Sequence, residues 1–285
     1  MTETFGARLR AAMDEHGPLC AGIDPHPGLL QAWGLPVDVS GVQTFAETCV
    51  EAFAGNVACV KPQSAFFERF GAAGVAILEA TVSALRESGT LCLLDVKRGD
   101  IGSTMEGYAR AYLDDEAPLR VDAITLSPYL GYGSLRPALD LAATTGRGVF
   151  VLALTSNPEG PSVQHASSGA GSVAGDIVAG VTRDNDTARA DGTLGSVGMV
   201  VGATIGTAVA DLGLDLAGAN APLLAPGVGA QGGTAADLQR VFGAALPNVL
   251  ASSSRDVLSA GPQVAELRAR AQQVGSGLRE MVGGL

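Results

Sequence analysis

The chain has 285 residues, 47% of them hydrophobic and only 5% aromatic, with 39 glycines and a formal net charge of −11. Apolar content on this scale builds a sizeable core, and the length suits one large α/β barrel as well as two ordinary domains. The excess of 29 acidic over 18 basic residues excludes broad binding to nucleic acid or to an anionic membrane, both of which need basic surface, so an anionic substrate has to be held by a few local cations and amides.

The amino terminus, Met1 to Gly17, carries mixed charges on an amphipathic helical pattern and has no secretory apolar segment. Short apolar runs follow at 19–23, 58–60, 91–96, 123–126, 149–154, 197–201, 222–225 and 248–251, each closing on a polar or glycine-rich turn. They read as buried parallel strands. Apolar residues at helical spacing fall between them at 43–53, 74–88, 134–143 and 235–242, and after the last at 262–282. The alternation predicts an α/β fold, a (β/α)8 TIM barrel forming a single domain over 1–285. A doubly wound open sheet is the competing arrangement, but no linker divides the chain. One stretch, 157–196, rich in Ser, Gly and Ala around a helix at 173–190, forms an insertion between strands five and six, either a lid or a surface elaboration. Cys20, Cys49, Cys59 and Cys92 lack CxxC spacing and read as buried reduced thiols. No apolar run reaches membrane-spanning length, and the expected location is cytoplasmic.

Active sites of such barrels form at the carboxyl ends of the strands, so the polar residues closing each run are the candidates. They are Asp24 after strand one, Lys61 after two, Asp95 and Lys97 followed by Asp100 after three, and Thr155, Ser156 and Asn157 after five. Strands seven and eight end in Gly227, Val228 and Gly229 and in Ser252 to Arg255. Asp95 and Lys97 stand two apart on a strand, which directs both side chains to one face. Opposite charges there compensate one another and leave an ammonium beside carboxylates. The glycine-rich turn 226–233 with Arg255 falls on the seventh and eighth loops, a common phosphate site in barrels. His26, in a proline-framed turn, could line the mouth. No histidine, cysteine or carboxylate set has metal-ligand spacing, and the glycines after strand seven lack the arrangement of a dinucleotide fingerprint. No metal and no cofactor is expected.

The run from Asp95 through Lys97 and Asp100 to Thr104, DVKRGDIGST, resembles the DxKxxDIxxT signature of the orotidine 5′-monophosphate decarboxylase family. The resemblance continues through Ala21 to Asp24, Val60 to Gln63, the Ser156 loop, 226–233 and Ser254-Arg255, and is closest to a longer bacterial subgroup. It implies decarboxylation of orotidine 5′-monophosphate (OMP) to uridine 5′-monophosphate (UMP) and CO2, the last step of de novo pyrimidine biosynthesis. Lys97 would protonate C6, and Asp95 would hold it beside the substrate carboxylate. Asp100 and Thr104 would reach the site of a second copy in a homodimer with shared active sites. Asp24 and Lys61 would bind ribose hydroxyls and Ser156 the pyrimidine, with Thr155 and Asn157 as alternatives. Gln231, Arg255 and the loop bearing Gly227 and Gly229 would bind phosphate, and Ser254 would be a further substrate-binding residue.

Three rival readings stay open on sequence. One is a metal-dependent sugar-phosphate decarboxylase or synthase sharing the barrel and the Asp-x-Lys-x-x-Asp core, against which Lys61 stands, since a lysine on strand two repels a metal ion. Another is a Schiff-base aldolase using Lys97 or Lys61. The third is a nucleotide-phosphate sensor without catalysis.

Overall fold

The computed structural model describes residues 3–169, 171–228 and 233–283. Eight parallel strands, β1 (Leu19–Ile23), β2 (Cys59–Pro62), β3 (Leu93–Arg98), β4 (Ala123–Leu126), β5 (Gly148–Leu154), β6 (Val197–Val201), β7 (Leu223–Pro226) and β8 (Val249–Ser253), run in the order β2-β1-β8-β7-β6-β5-β4-β3. Parallel bridges Val60 to Cys92 and Gln63 to Asp95 join β2 to β3 and close the barrel. The expected (β/α)8 barrel is therefore the fold.

Helices cover the outside because each parallel strand must return by a crossover, and a right-handed crossover lays its helix on the sheet. Val39–Phe53 lies between Gly71–Glu87 and the carboxy-terminal helix Val264–Gly283. Gly102–Leu113 and Arg136–Thr145 cover the next sector. Within the stretch expected as an insertion, Val173–Asp184 buries Ile177, Val178 and Val181 against β5 and β6. It is thus the crossover helix after β5, and the added material is the segment before it, with the short helix Pro161–Gln164. The connection from β6 to β7 holds only the four-residue helix Ala208–Asp211.

Inside the barrel, inward positions recur every second residue. Cys20, Cys59, Leu93, Ala123, Phe150, Val200, Leu224 and Leu250 form one buried cluster with Phe5, Leu9 and Met13 of the amino-terminal helix Phe5–His16. Phe5 meets Phe150 edge to face at 6.0 Å. That helix closes the amino-terminal end of the barrel with apolar side chains. Two residues further along several strands the inward positions turn polar: Cys59 gives way to Lys61, Leu93 to Asp95, Ala123 to Thr125 and Leu250 to Ser252. A dry floor and a polar mouth follow from this change along each strand.

Candidate active site

At the carboxyl end of the barrel, Asp24, Lys61, Gln63, Asp95, Lys97 and Thr125 share a cavity of about 300 Å3 with Thr155, Gly227, Ser252, Ser254 and Arg255. Leu152, Val200 and Leu224 form its apolar side.

Asp95 is the centre of the charged set. Its Oδ1 accepts from Lys97 Nζ at 2.6 Å and from Thr125 Oγ1 at 2.8 Å, and its Oδ2 accepts from Lys61 Nζ at 3.0 Å. Burial pushes the Asp95 carboxyl up, but the ammonium groups of Lys61 and Lys97 outweigh it, and hydrogen bonds from Lys97 and Thr125 add to them. The group is held well below the usual carboxylate range. For Lys61, burial favours the neutral amine, yet Asp95 and Asp24 more than offset that and raise it above the ordinary lysine range. Lys61 is enclosed, whereas the side chain of Lys97 is 46% exposed and open to a ligand.

Regular strand alternation is not what brings Lys97 to Asp95. Pairing of β3 with β4 runs from Leu94 opposite Ile124 to Arg98 opposite Leu126, so β3 carries extra residues in a bulge. Lys97 adopts a left-handed backbone, φ 45°, and its N–H donates to Thr125 Oγ1 at 2.9 Å. The predicted pairing is present through this irregular turn of the chain. Nor is Lys97 held between two carboxylates within one chain: the carboxylate of Asp95 lies between two ammonium groups, while Asp100 Oδ1 accepts from the N–H of Ile101. Among the described residues, Asp95 is the only carboxylate ion-paired with Lys97.

Asp24 closes β1, and its buried carboxylate oxygen Oδ1 has no hydrogen-bond partner among the described residues. Beside it, Gly22 leaves room for Ser254, whose Oγ lies 1.9 Å from where a Cβ on residue 22 would stand. Gly227 has φ 98°, and its carbonyl accepts from Gly233 N at 3.0 Å, so the ends of the glycine-rich turn meet at the cavity. Gly229 and Gln231 lie outside the described residues. Arg255 is exposed at the rim, with no ion pair among the described residues.

Ser156 and Thr104 are exposed and, with Asp100, are not among the residues lining the cavity; at the end of β5 the lining residue is Thr155. Thr155 Oγ1 donates to Asn157 Oδ1 and accepts from Gln164 Nε2, while Thr155 N donates to Gln164 Oε1. His26 caps the helix Pro27–Ala32 through Nδ1, which accepts from Gly28 N, and does not line the cavity. Thr125, Gln63 and Gln164 were not assigned from sequence. A lone hydroxyl inside the apolar run 123–126 is the signal that marks Thr125; nothing local marks Gln164, eight residues past Ser156.

Fold and site together define a (β/α)8 barrel with a buried Asp-Lys network at its mouth and a glycine turn and arginine on its last two loops. Residues 17–270 match the family model described as orotidine 5′-phosphate decarboxylase / HUMPS family. Orotidine 5′-phosphate decarboxylase of Salinispora arenicola is 61% identical over 95% of this chain and 96% of its own length, and that of Streptomyces coelicolor is 58% identical over 98% and 99%. A crystal structure from Streptomyces avermitilis superimposes with a TM-score of 0.93 at 54% identity, covering 99% of this chain and 97% of the other. The chain belongs to the orotidine 5′-phosphate decarboxylase / HUMPS family.

Proposed function

We propose that this protein decarboxylates OMP to UMP and CO2. The observation that carries the proposal is the half-exposed ammonium of Lys97, held at 2.6 Å by a carboxylate that Lys61 and Thr125 also grip, at the open mouth of the barrel. Breaking the bond between C6 and the carboxyl carbon releases CO2 and leaves the electron pair on C6. A preorganised cation beside that carbon stabilises the developing charge without reorganisation, and the same ammonium then transfers a proton to C6, forming the C–H bond of UMP. The amine left behind regains its proton from solvent. Asp95, ionised because two cations flank it, keeps the amine in place and faces the departing carboxylate. The scheme uses no cofactor.

The remaining roles follow from unsatisfied groups. The partnerless oxygen of Asp24 suits a ribose hydroxyl as donor, with Lys61 beside it. The hydroxyl of Thr155 is committed to Asn157 and Gln164, and Asn157 donates to Glu159 Oε2 at 3.0 Å. Ser156 is the member of that trio whose hydroxyl is free among the described residues, which leaves it available for the pyrimidine, while Thr155 is the member that lines the cavity. Gly227, Ser254 and Arg255, with Gly229 and Gln231, would take the phosphate. Binding energy from that remote group can serve alignment of the reacting carbon. Asp100 and Thr104 would complete the site of a second copy: on the loops after β3 and β4, Ile101, Tyr129 and Leu130 are 62%, 80% and 54% exposed, apolar side chains available for a symmetric contact. Four free, buried cysteines fit a reducing cytoplasmic setting. No helix among the described residues is long and apolar enough to cross a membrane.

Lys61 argues against the metal-dependent branch, because its ammonium already occupies Asp95 Oδ2, which a divalent ion would need. The test is loss of the orotate absorbance when the purified protein meets OMP, in wild type and in Lys97→Ala. Turnover should fall below detection in the variant while UMP still binds. Near-normal turnover by Lys97→Ala would refute the proton donor, and an inert wild type would refute the activity.

A further inference from the structure

The inward position of β4 at the level of Asp95 carries a hydroxyl that is 1% exposed. Thr125 Oγ1 donates its one proton to Asp95 Oδ1 at 2.8 Å and accepts, on a lone pair, the backbone N–H of Lys97 at 2.9 Å. The second contact falls where the main chain is least comfortable. Lys97 is one of two non-glycine residues with positive φ among the described residues, and a left-handed lysine is costly unless its surroundings hold it. It lies in the bulge, where β3 is out of step with β4 and the N–H of Lys97 goes to a side chain instead of a ladder carbonyl.

We propose that Thr125 is a positioning residue for the reaction: a single hydroxyl locks both the bulged backbone of Lys97 and the carboxylate that orients its amine. The inference rests on the decarboxylase reading given above. Two attachments of one residue, at its amide and at its ammonium, converge on the Asp95–Thr125 pair. The amine is consequently set before substrate enters, the condition under which electrostatic stabilisation costs no rearrangement during the reaction. Without the hydroxyl, the Lys97 amide loses its acceptor, Asp95 loses a donor, and the bulge is free to relax.

The experiment compares wild type, Thr125→Val and Thr125→Ser in steady-state turnover of OMP, UMP binding, circular dichroism and backbone hydrogen exchange around Lys97. Thr125→Val should lose about 10- to 100-fold in kcat, with KM and UMP affinity within about twofold of wild type and faster exchange at Lys97. Thr125→Ser, which keeps the hydroxyl, should recover most of the loss. Wild-type kcat in folded Thr125→Val, a loss confined to KM, or a Thr125→Ser as impaired as Thr125→Val overturns the assignment. If Thr125→Val does not fold, Thr125→Ala carries the same expectations, and failure of both to fold makes Thr125 a folding residue and likewise overturns it. An inactive wild type would sink the decarboxylase reading alone, because hydrogen exchange reports the lock without catalysis; unchanged exchange in the hydroxyl-free variants would sink the lock.

Discussion

Asp95 accepts from Lys61, Lys97 and Thr125, and its charge balances the largely buried ammonium of Lys61. Removing one member of a buried pair leaves the other uncompensated, so Asp95→Asn should destabilise the fold by about 3 kcal/mol or more near neutral pH, as read by urea unfolding. The sign of the pH dependence follows from the depressed carboxyl. Its contribution is present above the unfolded value of about 3.9 and is lost as pH falls towards the lower folded value. The gap between wild type and Asp95→Asn should therefore narrow in acid; a gap that is absent at neutral pH or grows on acidification would contradict the network. Lys61, raised when folded, contributes fully below about 10.4 and loses its share only at more alkaline pH. The identities of these charged residues were legible because polar groups at the ends of apolar strands are costly. Their connectivity was not, because a bulge and a left-handed lysine depend on how β3 pairs with β4.

At the level of elements, β1, β4 and β6 have the bounds expected from hydropathy, whereas β2, β3 and β8 run further. Backbone pairing continues past the apolar run, as in Cys20 opposite Ser252 and Ala21 opposite Ser253, while the side chains turn polar to face the mouth. Hydropathy thus truncates a strand where its inward side chains turn polar. The segment after β5 divides in the same way. Val173–Asp184 serves the barrel wall, and Gln164, just ahead of it, returns to grip Thr155 with two hydrogen bonds of 2.7 and 2.9 Å. Each is worth roughly 1 kcal/mol. Gln164→Ala should release the end of β5 and raise KM for OMP about tenfold, with the melting temperature lowered by only a few degrees. An unchanged KM would assign the short helix Pro161–Gln164 to the surface alone.

For the whole molecule, one chain assembles the amine, its carboxylate, Gly227 and Arg255 around one cavity, but leaves Asp100 and Thr104 outside it, with Ile101, Tyr129 and Leu130 exposed on the loops after β3 and β4. If two copies complete each other's sites, Lys97→Ala and Asp100→Ala should each be inactive alone and recover about a quarter of wild-type turnover when mixed and allowed to exchange, since half of the dimers then hold one intact site of two. No recovery despite exchange, seen by native mass spectrometry, would confine the site to one chain. The sequence by itself determined the alternation of strands and helices, the polar strand ends and the DVKRGDIGST run, because these depend on local periodicity and residue chemistry. Only the tertiary structure decided that Asp95 stands between two lysines, that Thr125 holds Lys97 and that Gln164 reaches back to Thr155. Those contacts join residues on different strands and loops, and barrel closure and the register of neighbouring strands set their distances.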